Sequence, residues 1–224
     1  MLWDANVAVA IRPPMTSPGP TLSVAFSPDG RVFATAGRKQ PLRTFGRQNG
    51  QPIRELAQSA DLAGLAFRPA DGALLAGGED GKARLWDLGQ GRPIGPDLVH
   101  GAAIRAVAIS PDSRLAATAG DPGRARIWEL GTSNPVSSLE HPAPVLDVAF
   151  AAAGASLLTG SEDGKARLWD IASRRPLREF VLGAAVNAVA ASPDGRTVAA
   201  GGHDRAVSHW DAAGGQLLDR KSER

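Results

Sequence analysis

This 224-residue sequence predicts an all-β architecture of small four-stranded antiparallel sheets repeated about every 41 residues, and three observations predict it. The five tryptophans share one phase. Trp86, Trp128, Trp169 and Trp210 follow one another at steps of 42, 41 and 41 residues, and Phe45 stands midway between Trp3 and Trp86. A turn signal keeps the same register. Ser27-Pro28-Asp29-Gly30, Ser110-Pro111-Asp112-Ser113 and Ser192-Pro193-Asp194-Gly195 each lie 18 residues before the aromatic, and their proline, aspartate and glycine reverse the chain. Between turns run short stretches of small and aliphatic residues, separated by gaps too short for helical crossovers.

One period shows the elements in order. Val145-Leu146-Asp147-Val148-Ala149-Phe150 reads as strand a, Ser156-Leu157-Leu158-Thr159-Gly160 as b, Ala166 to Trp169 as c, and Pro176-Leu177-Arg178-Glu179-Phe180 as d. Each is of strand length, and four such strands form a meander. Repeated radially, that sheet is the blade of a β-propeller. Side chains alternate along a strand, so Trp86 and Leu85 are expected on opposite faces, each against a neighbouring blade. The tryptophans are read as core.

Taken along the chain, residues 1–20 align with the second half of a unit. Leu2-Trp3-Asp4 matches Leu85-Trp86-Asp87, and Val7 to Ile11 falls at strand d. Five full units follow, at about 21–61, 62–103, 104–144, 145–185 and 186–224, as one continuous domain. Five blades and a half predict part of a six- or seven-bladed ring: an open arc whose end blades expose apolar faces and offer an edge for association.

Composition narrows the class. Hydrophobic residues make up 43% and charged residues 21%, as in ordinary globular chains. No apolar run approaches the roughly 18 residues of a membrane helix, and the first residues lack a secretory pattern. Without cysteine, disulfides, thiol nucleophiles and thiolate metal sites are excluded. The formal charge of +2 and the absence of tyrosine argue against a dedicated nucleic-acid binder. A cytoplasmic location is expected, and abundant Ala, Arg, Gly and Pro with little Lys points to a GC-rich bacterial genome.

The strand-c segments Lys82-Ala83-Arg84-Leu85-Trp86-Asp87, Arg124-Ala125-Arg126-Ile127-Trp128-Glu129, Lys165-Ala166-Arg167-Leu168-Trp169-Asp170 and Ala206-Val207-Ser208-His209-Trp210-Asp211 resemble the WD-repeat (WD40) family over essentially the whole chain. The resemblance implies a blade in which a histidine, a serine or threonine, an aspartate and the tryptophan join by hydrogen bonds. One unit carries all four, as His141, Thr159, Asp163 and Trp169. The preceding unit keeps His100, Thr118 and Trp128, with Pro122 at the aspartate position. Asp80 and Asp204 keep the aspartate without the histidine. Because the d–a and b–c connections share one edge, the Asp163 carboxylate is expected to accept from the His141 imidazole. The pair reads as structural, since no exposed nucleophile accompanies it. The first unit departs most, with Phe45 for tryptophan, Lys39 for aspartate and a basic run of Arg38, Lys39, Arg43, Arg47 and Arg54.

Other motifs fail on inspection. Gly78-Glu79-Asp80-Gly81-Lys82 and Gly160-Ser161-Glu162-Asp163-Gly164-Lys165 lack the first glycine and the final hydroxyl of a phosphate loop, and read as hairpin turns. The histidines His100, His141, His203 and His209 show no metal-ligand spacing. Neither a metal nor a cofactor is expected.

The functional expectation is therefore a scaffold, not an enzyme, that binds a peptide or protein through the rim of d–a and b–c loops. Arg38, Lys39, Glu79, Arg105, Asp121, Glu162, Asn187 and His203 are its candidate contacts, since loops vary on a constant frame. Two alternatives stand beside it. A hydrolase or lyase would use the central channel, where strand a offers Leu22, Ala63, Arg105, Leu146 and Asn187, of which only two are polar. A nucleic-acid binder would use the basic first unit.

Overall fold

The computed structural model describes residues 17–57 and 60–222, together with the strand backbones β1 (Trp3–Asp4) and β2 (Val9–Ala10). Five antiparallel sheets follow one another. The first blade comprises β3 (Thr21–Phe26), β4 (Val32–Gly37), β5 (Leu42–Gly46) and β6 (Pro52–Leu56). The second has β7 (Leu62–Phe67), β8 (Leu74–Gly78), β9 (Lys82–Asp87), β10 (Arg92–Pro93) and β11 (Leu98–Val99). The third contains β12 (Ile104–Ile109), β13 (Leu115–Gly120), β14 (Arg124–Glu129) and β15 (Pro135–Glu140). The fourth is β16 (Val145–Ala151), β17 (Ser156–Ser161), β18 (Lys165–Asp170) and β19 (Arg175–Val181). The fifth is β20 (Val186–Ala191), β21 (Thr197–Gly202), β22 (Ala206–Asp211) and β23 (Leu217–Ser222). Every sheet is a meander in chain order, which makes each a propeller blade.

Two details depart from the uniform four-strand expectation. In the second blade strand d is split: β10 pairs with the end of β9 at Trp86 and Asp87, β11 with its start at Lys82 and Ala83. Gly95 and Pro96 lie in the gap, where a positive φ (69° at Gly95) and a missing N–H interrupt the ladder. In the fourth blade Ala152–Gly154 forms a 3-10 turn where three other blades carry Ser-Pro-Asp. Those three turns close on themselves. Ser27 Oγ donates to Asp29 Oδ1 at 2.6 Å and accepts from the Val32 N–H at 2.9 Å, and Ser110 and Ser192 repeat the pattern. The Ser27, Ser110 and Ser192 hydroxyls hold the Asp29, Asp112 and Asp194 carboxyls below their ordinary value.

The core lies between blades. Trp86 packs backward with Leu42, Leu56 and Leu62, while its neighbour Leu85 packs forward with Ile104, Val107 and Trp128. Period-two alternation thus lets one strand c serve two interfaces. The third and fourth blades meet through Ile127, Leu139, Val145, Val148 and Trp169, the fourth and fifth through Leu168, Phe180, Val189 and Trp210. Strands a come close enough to demand small residues. A Cβ on Gly64 would lie 2.8 Å from the Val107 nitrogen.

The outer faces of the end blades are uncovered by any described residue. On β3, Leu22, Val24 and Phe26 are 47%, 60% and 49% exposed, and on β22 Val207 is 57% exposed. The half unit expected over 1–20 lies largely outside the described residues; its described part is the antiparallel pair β1–β2, with Trp3 opposite Ala10. Among the described residues no helix is long and apolar enough to cross a membrane.

Candidate functional site

In the fourth blade three of the sequence-selected residues meet. His141 precedes β16, Thr159 lies on β17 and Trp169 on β18, and all are buried. The Trp169 indole N–H donates to Thr159 Oγ1 at 3.0 Å, and His141 Nε2 lies 2.8 Å from the same oxygen. His141 Nδ1 faces the Leu139 carbonyl at 3.2 Å. A carbonyl only accepts, so the network assigns the ring proton to Nδ1 and leaves Nε2 to accept from the threonine hydroxyl. The rings of His141 and Trp169 meet edge to face at 5.2 Å. Burial, reinforced by the Arg167 charge, lowers the His141 pKa to about 4, so the imidazole is neutral.

The third blade repeats the arrangement with His100 Nδ1 2.8 Å from Thr118 Oγ1, to which the Trp128 N–H donates at 2.9 Å. Here His100 Nε2 is buried without a hydrogen bond of good geometry. Burial and the charges of Arg126 and Arg124 lower its pKa to about 4.

Asp163 takes a different partner from the one expected. Its carboxylate does not accept from His141 but pairs with Arg167 at 2.6 Å and receives the Lys165 N–H at 3.1 Å. The reason lies in strand geometry: Arg167 stands two residues before Trp169, only 7% exposed, between Asp163 and Glu179, which it meets at 2.8 Å. A full charge so placed competes better for a carboxylate than a neutral imidazole does. The second blade builds the same bridge, Arg84 joining Asp80 at 3.0 Å and Asp97 at 3.3 Å. The fifth supplies the cation from strand d, where Arg220 meets Asp204 at 3.0 Å. Sequence reading missed these arginines; the signal was Arg at the same place in Lys-Ala-Arg-Leu-Trp-Asp, twice, with an aspartate four residues earlier.

All eight candidate rim residues fall at one edge of the sheets, because the start of strand a pairs with the end of strand b in each blade, Ile104 opposite Gly120 and Val186 opposite Gly202. Arg38, Lys39, Glu79, Arg105, Glu162, Asn187 and His203 are exposed, and Asp121 is half-buried. Two pairs form among them: Arg38–Glu79 at 3.3 Å links the first and second blades, and Arg105–Asp121 at 3.0 Å braces the third. Lys39 is held by its N–H donating to Asp61 at 2.8 Å. Arg105 and Asn187 also line a cleft of about 270 Å³ between the strands a, together with Leu22, Ser23, Leu146 and Asp147. Of the basic run in the first blade, Arg38 meets Glu79, Arg43 meets Glu55 at 3.1 Å and Arg54 donates to the Gly89 carbonyl.

Sequence reading also passed over Asp147. Its Oδ1 accepts the Val148 N–H at 2.9 Å and its Oδ2 accepts the Val189 N–H at 2.8 Å, stapling the fourth blade to the inner edge of the fifth. Burial raises its pKa, against the lowering effect of these two donors. Nothing in the sequence of a single strand distinguishes such a carboxylate from a solvent-facing one.

The repeat family described as "WD domain, G-beta repeat" matches residues 50–87, 96–129, 133–170 and 175–211, more than half of the chain. The chain belongs to the WD-repeat family. Its WD repeats are similar to "Telomerase protein component 1" of Rattus norvegicus, 36% identical over 80 residues, and to "Guanine nucleotide-binding protein subunit beta-like protein 1" of Mus musculus, 37% identical over 75 residues. These alignments cover 35% and 33% of this chain but 3% and 22% of the relatives' lengths, so the chain spans a minor part of each. WD repeats generally serve as protein-interaction scaffolds and are generally non-enzymatic.

Proposed function

We propose that this WD-repeat chain is a rigid platform that binds a polar peptide or protein through the rim formed by its b–c turns and the starts of its strands a. The observation that carries the reading is the rim itself. Seven of eight candidate residues there are exposed, they differ from blade to blade, and they mix both charges. A mixed surface suits a mixed partner better than a polyanion. The blades beneath hold the rim still, because an apolar core is buried at each of the four interfaces between successive blades. A cytoplasmic setting in a bacterium with a GC-rich genome belongs to the same proposal and is supported by composition.

The test compares capture by the unaltered chain with capture by a variant carrying Arg105→Ala, Glu162→Ala, Asn187→Ala and His203→Ala, the retained proteins being identified by mass spectrometry. Loss of a defined set of proteins is expected. An unchanged set, or the same loss from substituting Asp29, Asp112 and Asp194 at the opposite edge, overturns the assignment.

A further inference from the structure

The two end faces of the described blades are both exposed, but they are chemically unlike. At the trailing face of each blade, the residue three before the aromatic on strand c and its partner on strand d form a pair. In the first four blades the pairs are Leu42–Leu56, Ala83–Leu98, Ala125–Leu139 and Ala166–Phe180, and every member is at most 3% exposed. In the fifth blade the pair is Val207–Lys221, and His209 stands where Leu85, Ile127 and Leu168 precede the other tryptophans. Lys221 and His209 thus make this face more polar than the trailing faces of the other four blades, although Val207 is 57% exposed on it.

The leading face of the first blade is the reverse. Val24 occupies the place of Leu65, Val107, Val148 and Val189, which are 5–9% exposed, yet Val24 is 60% exposed. Phe26 meets Phe33 with tilted rings at 5.7 Å and Phe45 stacks on Phe33 at 5.2 Å, so Phe33 is 2% exposed while Phe26 remains 49% exposed at the edge of this aromatic cluster. This face keeps the chemistry of a blade interface without a described neighbour. In the inner blades such a face is met by strands c and d of the preceding blade: Val107, for example, packs with Ala83, Leu85 and Leu98.

We propose that the first blade's outer face is covered by this chain's own N-terminal segment, with β1 and β2 seating over Val24 and Phe26 as strands c and d of a preceding blade. Register supports this occupant. Trp3 lies opposite Ala10 and Asp4 opposite Val9, as Trp169 lies opposite Pro176 and Asp170 opposite Arg175. Reach supports it too, since Ala10 stands eleven positions before Thr21, as Pro93 stands eleven before Ile104. Leu2 then stands in sequence where Leu85 and Leu168 stand before their tryptophans. A second copy stacking its fifth blade there is disfavoured, because Lys221, whose side chain is 85% exposed, would be buried against Val24 and Phe26.

Because the chain has no cysteine, an introduced thiol is a clean probe. Val24→Cys and Val207→Cys place single thiols at sites of equal exposure on opposite ends, and each full-length variant is treated with a maleimide. The proposal expects Val24→Cys to react about tenfold or more slowly than Val207→Cys, the protection reflecting the population of the docked state. Adding Leu2→Asp is expected to bring the Val24→Cys rate up to that of Val207→Cys, with circular dichroism unchanged. Equal rates for the two thiols without Leu2→Asp overturn the proposal, as does protection that survives Leu2→Asp. Protection that grows with protein concentration overturns it in favour of a second copy.

Discussion

Strand c reads Lys-Ala-Arg-Leu-Trp-Asp in both the second and the fourth blade, yet the two indoles meet different surroundings. Trp169 donates to Thr159, which also meets His141. Trp86, in the same hexapeptide, has Ala76 opposite Arg84 on strand b, where the fourth blade has Thr159 opposite Arg167, and its Nε1 is buried without a hydrogen-bond partner. Both rings are 7% exposed, so both fulfil the packing role. The fifth blade shows a third arrangement, with Leu182 and Ala200 at the histidine and threonine positions, both buried. The comparison separates two jobs that the repeat motif runs together. Shape places the tryptophan, and strand b decides whether its one polar atom is satisfied.

The largest effect is expected where the complete group is broken. Thr159→Ala removes the shared oxygen and strands the Trp169 N–H and His141 Nε2, at a cost of about 2–4 kcal/mol, read as a lower urea midpoint at unchanged slope. Adding His141→Leu reproduces the apolar choice of the fifth blade and is expected to recover part of that loss. If Thr159→Ala proves as mild as a surface change, the group contributes nothing beyond packing.

Acid gives the next effect. His100 and His141 have pKa values lowered to about 4 in the fold, against an ordinary value near 6.5. Between those limits the unfolded chain binds protons that the folded chain does not, so stability is full above pH 6.5 and falls as the pH drops toward 4. Each histidine contributes on the order of 2–3 kcal/mol across that window. Asp147, whose pKa is raised, opposes the trend at its acidic end. Urea titrations at stepped pH should therefore show a slope that His141→Leu reduces; an unchanged slope would mean the ring is protonated in the fold.

The smallest change sharpens the comparison from the other side. Ala76→Thr offers Trp86 the acceptor that Trp169 already has, and a gain of about 0.5–1 kcal/mol is expected if the added methyl is accommodated. A loss of stability would show that the second interface, where Ala76 is 1% exposed beside Leu62 and Leu74, is too tightly packed for a hydroxyl and methyl.

Particular residues show how far the sequence could be read. The aromatic phase and the Ser-Pro-Asp turns located strands and blades, because buried large rings and chain reversals are local demands that each repeat must meet alone. That Trp86 and Leu85 serve opposite faces followed from alternation along one strand; which of them meets the preceding blade did not. The Asp163–Arg167 pairing did not follow, since histidine and arginine both offer donors near that turn and only distance ranks them. Asp147 was illegible for the same reason: its partner, the Val189 N–H, belongs to the next blade.

By itself, then, the chain's order of residues determined the repeat, the blade and the edge on which the variable loops gather. Tertiary structure alone decided which polar atoms meet and which carboxylate takes which cation. The physical reason is range. Periodicity and turn chemistry act over a few residues, whereas the choice among polar partners depends on ångström-scale separations, whether the groups stand four residues apart, as Asp163 and Arg167 do, or some forty, as Asp147 and Val189 do.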